Sequence, residues 1–230
     1  MKKKKIVLMR HGESQWNQLN QFTGWRDIPL SKKGEEEANY AGKILKKNKF
    51  VFDMAYTSVL KRSIHTLWII LNQLDHLWVP VYKSWKLNER HYGALEGLNK
   101  KEVEKKYGAK QVILWRRSFK TIPPALHSLD KSYLMNDRKY ANLKESEIPL
   151  AESLQMTYYR VIDFWKLTII PQIKKNKNII IVAHGNSLRA LIKYLSVISD
   201  TDISNLDIAT GSPIIYEFSD QMKPLQYYYL

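Results

Sequence analysis

Short apolar runs alternate along the chain with longer segments whose apolar residues recur every three or four positions, the pattern of a sheet covered by helices. Strands are expected at residues 5–9, 54–57, 79–84, 178–183 and 213–218. Helices are expected from a cap at Ser31 through Leu45, over 60–74, over 151–170, where Leu154, Tyr158, Val161 and Trp165 share one face, and over 186–195. Glu35 to Glu37 would sit near the positive end of the first of these. Pro171 is expected to kink or end the long helix before it. The run NIIIVA at 178–183 is almost wholly apolar and rich in isoleucine and valine, as a central strand buried on both faces requires.

Between about 98 and 150 the pattern breaks into short basic helices, around 101–106 and 112–119, followed by Pro123, Pro124 and a polar stretch. So long an irregular region reads as a lid or binding insertion. With no internal repeat or linker, the economical organisation is one α/β domain over 1–230 carrying an insertion at about 98–150. Its sheet would be mostly parallel, with helices on both faces and the basic insertion over the site.

Composition narrows the class. A length of 230 residues and 44% hydrophobic content support a sizeable core. No cysteine is present, which removes disulfides, thiolate metal sites and a cysteine nucleophile, and fits a reducing cytoplasm. The lysines at 2–5 are followed by too short an apolar stretch for a signal peptide. No run of about 18 apolar residues exists to span a membrane. Lys and Arg outnumber Asp and Glu by 37 to 22, a formal charge of +15 that attracts anions of any kind. Lysines spread along solvated helix faces account for this more simply than a nucleic-acid partner does.

The candidate chemistry gathers where two strands end, at Arg10-His11-Gly12 and at His184-Gly185-Asn186. Ligand sites of open α/β sheets lie outside the carboxyl ends of strands, so both histidines are expected to face one crevice. A glycine after each would let backbone approach a ligand, and helix N-termini after both strands would offer free N–H groups to an anion. Arg10 and Arg62 lie near strand ends, and guanidinium forks onto phosphate; taken alone, Arg62 also reads as a surface helix charge. Glu89, in LNERHYGALEG, is either a general acid and base or an ion-pair partner of Arg90. His-x-His and carboxylate-rich spacings are missing around the strand ends, so a metal-free phosphoryl-transfer centre is expected.

The ordered set LMRHGESQWN, GWRDIPLSKKG, AYTSVLKRSIHTLW, LNERHYGALEGLNK, WRRSF and VAHGNSLRAL resembles the cofactor-dependent phosphoglycerate mutases of the histidine phosphatase superfamily, almost end to end. The resemblance implies that family's α/β fold and the interconversion of 2- and 3-phosphoglycerate, through a phosphohistidine and a 2,3-bisphosphoglycerate intermediate. It implies His11 as nucleophile, Glu89 as proton donor and acceptor, His184 as transition-state support, and Arg10 and Arg62 as the phosphate pocket. Ser14, Asn17, Thr23, Gly24, Arg90, His91, Tyr92, Lys100, Arg116, Arg117, Gly185 and Asn186 match positions that hold substrate. The implied cofactor is 2,3-bisphosphoglycerate as priming donor, with no metal; the implied partners are phosphoglycerates and further copies of the chain, a dimer first, in the cytoplasm, with neither nucleic acid nor membrane.

The chain departs from that family's pattern at Leu134 to Asp137, where many relatives have a glycine-containing turn, and at Ile208-Ala209-Thr210-Gly211, which lacks a proline. It also stops at Leu230, where several relatives carry a longer tail that helps close the site. A phosphatase of the same superfamily would share His11, Arg10, Arg62 and His184 but need not hold Lys100, Arg116 and Arg117, whose presence favours the mutase.

Overall fold

The computed structural model describes residues 4–127, 132–175 and 177–230, so Lys2 and Lys3 of the basic start, and 128–131 of the expected insertion, lie outside the described residues. A six-stranded sheet runs through the molecule in the order β3-β2-β4-β1-β5-β6, where β1 is Lys4–Arg10, β2 Met54–Thr57, β3 Val81–Lys83, β4 Ile179–Ala183, β5 Pro213–Phe218 and β6 Pro224–Tyr229. The first four in that order are mutually parallel; β5 runs antiparallel to β1, and β6 to β5. β6 carries no expectation from the sequence.

Alternate residues of β1 and β4 feed two cores. Ile6, Leu8, Ile179, Ile181 and Ala183 pack beneath α7 (Leu154–Phe164) and α9 (Gly185–Leu195). Val7, Met9, Ile180 and Val182 pack beneath α2 (Lys32–Lys47) and α3 (Lys61–Leu74). Every residue of β4 is therefore buried, which explains its unbroken apolar run. α2 begins as expected: the Ser31 hydroxyl accepts from Gly34 N at 3.1 Å, Glu35 lies in the first turn, and Lys46 and Lys47 in the last.

The helix entered at Leu154 does not end at Pro171. An α-helix there would drive the proline ring into the carbonyl four residues back and waste one hydrogen bond. The chain instead widens into a π turn over Trp165–Ile169, with Ile170 N donating to Trp165 O, and Pro171 falls in the first turn of the closing segment α8 (Ile170–Lys174).

The described part of 98–150 forms α4 (Lys100–Tyr107), α5 (Ala109–Arg117), the single turn α6 (Ser132–Met135) and two 3-10 turns. Val103, Val112 and Trp115 pack on Phe22 and Leu95, and Leu134, Tyr140 and Ile148 on Trp25. The segment thus buttresses two loops, near Phe22–Trp25 and near Leu87–Leu95, that border the carboxyl ends of the parallel strands.

Candidate active site

The register of β1 against β4 pairs Arg10 with Ala183, so the next residue of each strand leaves the sheet at the same level. Those residues are His11 and His184. His11 N continues the ladder to Ala183 O at 3.0 Å, and the two imidazoles stand edge to face with ring centroids 4.9 Å apart. His11 Nδ1 lies 2.6 Å from Gly12 O. A carbonyl only accepts, so Nδ1 carries the proton and Nε2 keeps a bare lone pair. Burial, then Arg62 and Arg10, hold the His11 imidazole well below its ordinary value, which keeps it neutral and nucleophilic. His184 is held down in the same way by burial, Arg62 and His11; its Nε2 meets Ser58 Oγ at 2.7 Å while its Nδ1 is buried with no partner.

Arg62 reaches the site from the first turn of α3, fully buried, donating to Gly24 O and Arg26 O at 2.8 Å each. Burial pulls its guanidinium down to about 10, leaving it charged at neutral pH. The same two bonds fix the loop bearing Thr23 and Gly24. Gly24 sits at φ +54°, and a Cβ there would lie 1.8 Å from Glu96 Oε1, a carboxylate already accepting from Trp25 N and Tyr92 N.

Glu89 enters from the loop after the 3-10 turn Trp85–Leu87. Its Oε1 accepts from Arg90 N at 2.8 Å and from Asn186 N, at the start of α9, at 3.0 Å. A helix N-terminus therefore holds the carboxylate, and Oε2 is left for other work. Tyr92 OH accepts from Asn186 Nδ2 and from Arg90 Nη2, bridging the two loops.

These groups border one cleft. Six cations line it (Arg10, Arg62, Lys100, Arg116, Arg117 and Arg189) against two carboxylates, Glu89 and Asp207. Burial and then the Arg116 charge lower Lys100, as crowding of like charges demands. Buried donors without partners cluster here too: Arg10 Nε, Arg62 Nε, Arg189 Nε and the Thr23 hydroxyl. Buried polar groups are normally satisfied, so this set is complementary to an anion with several oxygens. Among the described residues no group of three or more His, Cys, Asp or Glu is placed to hold a metal ion.

Of the residues singled out in the sequence, Asn17, Thr23, Gly24, Tyr92, Lys100, Arg116, Arg117, Gly185 and Asn186 join Arg10, His11, Arg62 and Glu89 on the cleft wall, with His184 directly behind His11. Ser14, Arg90 and His91 do not line it. Ser14 caps the short helix α1 (Gln15–Gln18) through Asn17 N, Arg90 is buried against Arg116 O and Tyr92, and His91 accepts from Gly93 N in the wall behind. Gln21, Phe22, Arg189 and Asp207 line the cleft without having been singled out. Arg189 could have been found from its place three residues after Asn186, one turn along the helix that follows His184.

The expected role of the first glycine is also corrected. A Cβ on Gly12 would lie 2.1 Å from Gly34 O, so this glycine lets the loop press against α2. Gly12 N donates to Thr66 Oγ1 and Glu13 N to Glu37 Oε2, so neither is free for an anion. Gly185 lines the cleft, and a Cβ there would lie at ordinary contact distance from Arg10 Nε and Glu89 Oε2, while the next N–H, that of Asn186, is taken by Glu89 Oε1.

The model of the histidine phosphatase superfamily (branch 1) matches residues 6–138 and 132–229. A protein of Buchnera aphidicola subsp. Cinara cedri (strain Cc), named 2,3-bisphosphoglycerate-dependent phosphoglycerate mutase, is 65% identical over 230 residues, covering 100% of both chains. A protein of the same name from Buchnera aphidicola subsp. Baizongia pistaciae (strain Bp) is 60% identical over all of this chain and 99% of its own. Among solved structures, the mycobacterial glucosyl-3-phosphoglycerate phosphatase superposes with a TM-score of 0.72 over 99% of this chain and 97% of its own, at 16% identity, which speaks for the fold alone.

Proposed function

The chain belongs to the histidine phosphatase superfamily, and from its full-length likeness to the two phosphoglycerate mutases we propose that it interconverts 2-phosphoglycerate and 3-phosphoglycerate through a phosphohistidine at His11. The observation that carries the reading is the meeting, in one cleft, of a neutral His11, the carboxylate of Glu89 and six cations. A phosphatase needs the nucleophile and its phosphate pocket; holding a second phosphate and a carboxylate needs the further charges of Lys100, Arg116, Arg117 and Arg189.

The cleft suits 2,3-bisphosphoglycerate, which supplies the first phosphoryl group when bound: Arg10, Arg62 and Thr23 offer donors on the His11 side, and Lys100, Arg116 and Arg117 on the insertion side. His11 Nε2 is placed to take the phosphoryl group, its N–P bond forming as the donor's P–O bond breaks, while Nδ1–H stays anchored on Gly12 O, so the ring need neither turn nor change tautomer. Arg10 and Arg62 offset charge on the equatorial oxygens, with the neutral His184 ring supporting the transition state from beside His11. Phospho-His11 then passes its phosphoryl group to the free hydroxyl of a phosphoglycerate, whose proton moves to Glu89 Oε2. After the bisphosphoglycerate reorients, His11 takes the phosphoryl group from the oxygen on the neighbouring carbon, and as that P–O bond breaks Glu89 returns the proton to the departing oxygen. Arginine charge does here what a cation does in other phosphoryl-transfer sites, so the reaction is read as metal-free.

The same reading puts the enzyme in the cytoplasm, as a glycolytic and gluconeogenic catalyst; among the described residues no helix is long and apolar enough to cross a membrane. Two chains are proposed to associate along the β3 edge, where Trp68 and Leu77 border one shallow groove with Val81 and are exposed, as are Trp78 and Tyr82.

A coupled assay that follows phosphoglycerate interconversion and phosphate release on one sample tests the proposal. Interconversion that depends on priming with 2,3-bisphosphoglycerate and outpaces phosphate release is expected. Faster phosphate release would make the site a phosphatase.

A further inference from the structure

The loop that carries Glu89 is held from behind by a single guanidinium. Arg160, on α7, spends all five of its N–H groups in one place. Nε donates to Glu152 Oε1 at 2.7 Å, and Nη2 to Glu152 Oε2 at 2.8 Å and to Glu89 O at 2.9 Å. Nη1 donates to Lys86 O at 2.8 Å and Asn88 O at 3.0 Å. Glu152 Oε2 in turn accepts from His91 N at 2.8 Å. The ion pair thus fixes four backbone groups between Lys86 and His91, on both sides of Glu89, and Trp25 Nε1 adds a second bond to Glu89 O at 2.7 Å. Arg160 and Glu152 are both buried, and neither lines the cleft.

A pair serving only to fasten α7 would need the carboxylate alone. Here three of the five donors go instead to carbonyls of the Glu89 loop, which has no regular secondary structure of its own beyond the 3-10 turn. A lysine has neither the number of donors nor the planar fork to replace them, and would leave buried carbonyls unpaired.

We propose that Arg160, oriented by Glu152, is a positioning residue for the proton transfer: it fixes the backbone of Glu89 so that the carboxylate, tied at Oε1 by two N–H groups, keeps Oε2 in line with the substrate hydroxyl. The inference rests on the reading of Glu89 as proton acceptor and donor. Displacing a reacting group by about 1 Å costs on the order of 10²-fold in rate without weakening substrate binding, and that separation is what the experiment reads.

Four full-length proteins are compared in the primed mutase assay: wild type, Arg160→Lys, Glu89→Gln and the double variant. Arg160→Lys is expected to lower kcat by about 10²-fold with KM for 3-phosphoglycerate close to wild type. In the Glu89→Gln background the same change should cost no more than about twofold, because residues acting through one group are not additive. The extent of His11 phosphorylation after priming should match wild type, reporting an intact phosphate pocket. An equal loss in both backgrounds, or a raised KM with unchanged kcat, overturns the positioning role. A Glu89→Gln protein with wild-type kcat instead overturns the reading of Glu89 itself, whatever Arg160 does. Should Arg160→Lys fail to fold by circular dichroism, Glu152→Gln, which keeps the shape but loosens the fork, takes its place in the same cycle with the same expected result.

Discussion

The imidazole of His11 meets that of His184 edge to face, ring planes at 64° and centroids 4.9 Å apart, between two arginines and with both rings buried. Two buried imidazoles beside Arg10 and Arg62 can only coexist as neutral rings, and both are held well below the ordinary histidine value of 6.5.

Acid sensitivity follows from that pair. As the pH falls through about 6.5, each histidine of the unfolded chain takes up a proton that its folded counterpart refuses. The unfolded state then binds more protons, so stability falls as pH is lowered through that value, and levels off only below the folded pKa values. Urea midpoints measured from pH 7.5 down to pH 5 should drop, and His184→Gln should show a shallower pH dependence than wild type. Equal slopes would mean that His184 titrates normally in the fold.

Arg62→Lys should fold yet transfer phosphate poorly. Lysine keeps the charge, but its donors radiate from one nitrogen and do not reproduce the planar spread by which Nη1 and Nη2 of Arg62 bond Arg26 O and Gly24 O while Nε stays unpaired. Removing one transition-state donor costs about 10²- to 10³-fold. Rapid-quench measurement of His11 phosphorylation should give a loss in that range, with the Thr23–Gly24 loop loosened. A rate within a few-fold of wild type would place Arg62 outside the phosphate pocket.

Gly24→Ala combines two penalties, a left-handed backbone that alanine resists and a Cβ driven into Glu96. A loss of about 1–3 kcal/mol in unfolding free energy is expected from the backbone strain alone. Because Gly24 O anchors Arg62, KM for phosphoglycerate should rise as well. Denaturant unfolding and steady-state kinetics on the same preparation check both.

What the sequence disclosed and what it hid divide along physical lines. The β-branched run in β4 and the cap at Ser31 are local signals, and each was legible. The meeting of His11 with His184 was legible because parallel strands deliver their following residues to one rim, and the register of Arg10 with Ala183 does this. β6 was hidden because its hairpin turns through Met222 at φ +65° with no glycine to mark it, and because its outer residues are exposed aromatics without apolar alternation. Gln21, Phe22 and Asp207 come to the cleft on loops set by tertiary packing, which no local pattern encodes. Arg90 and His91 share a motif with Glu89, but neighbouring residues of a non-helical loop face different ways, and theirs turn into the wall.

Chelation should leave turnover unchanged. The positive charge at the cleft comes from Arg10, Arg62, Lys100, Arg116, Arg117 and Arg189, and guanidinium charge is not removable by EDTA. The primed mutase assay in excess EDTA should match the untreated enzyme. Lost activity that magnesium or manganese restores would require a metal site built with the bound substrate.

The proposed association along β3 is testable without touching the cleft. β3 is a sheet edge, which leaves a row of unpaired backbone groups, and beside it Trp68 and Tyr82 are each 49% exposed, Leu77 62% and Trp78 70%. Large apolar side chains exposed at a sheet edge are candidates for cover by a second chain. Lysines at two of these positions would set like charges against each other across a two-fold interface. Sedimentation equilibrium should therefore give a dimer for wild type and a monomer for Trp68→Lys/Tyr82→Lys, with the far-ultraviolet dichroism unchanged. A wild-type protein that sediments as a monomer at tens of micromolar, or a double variant that stays dimeric, would remove this edge as the interface.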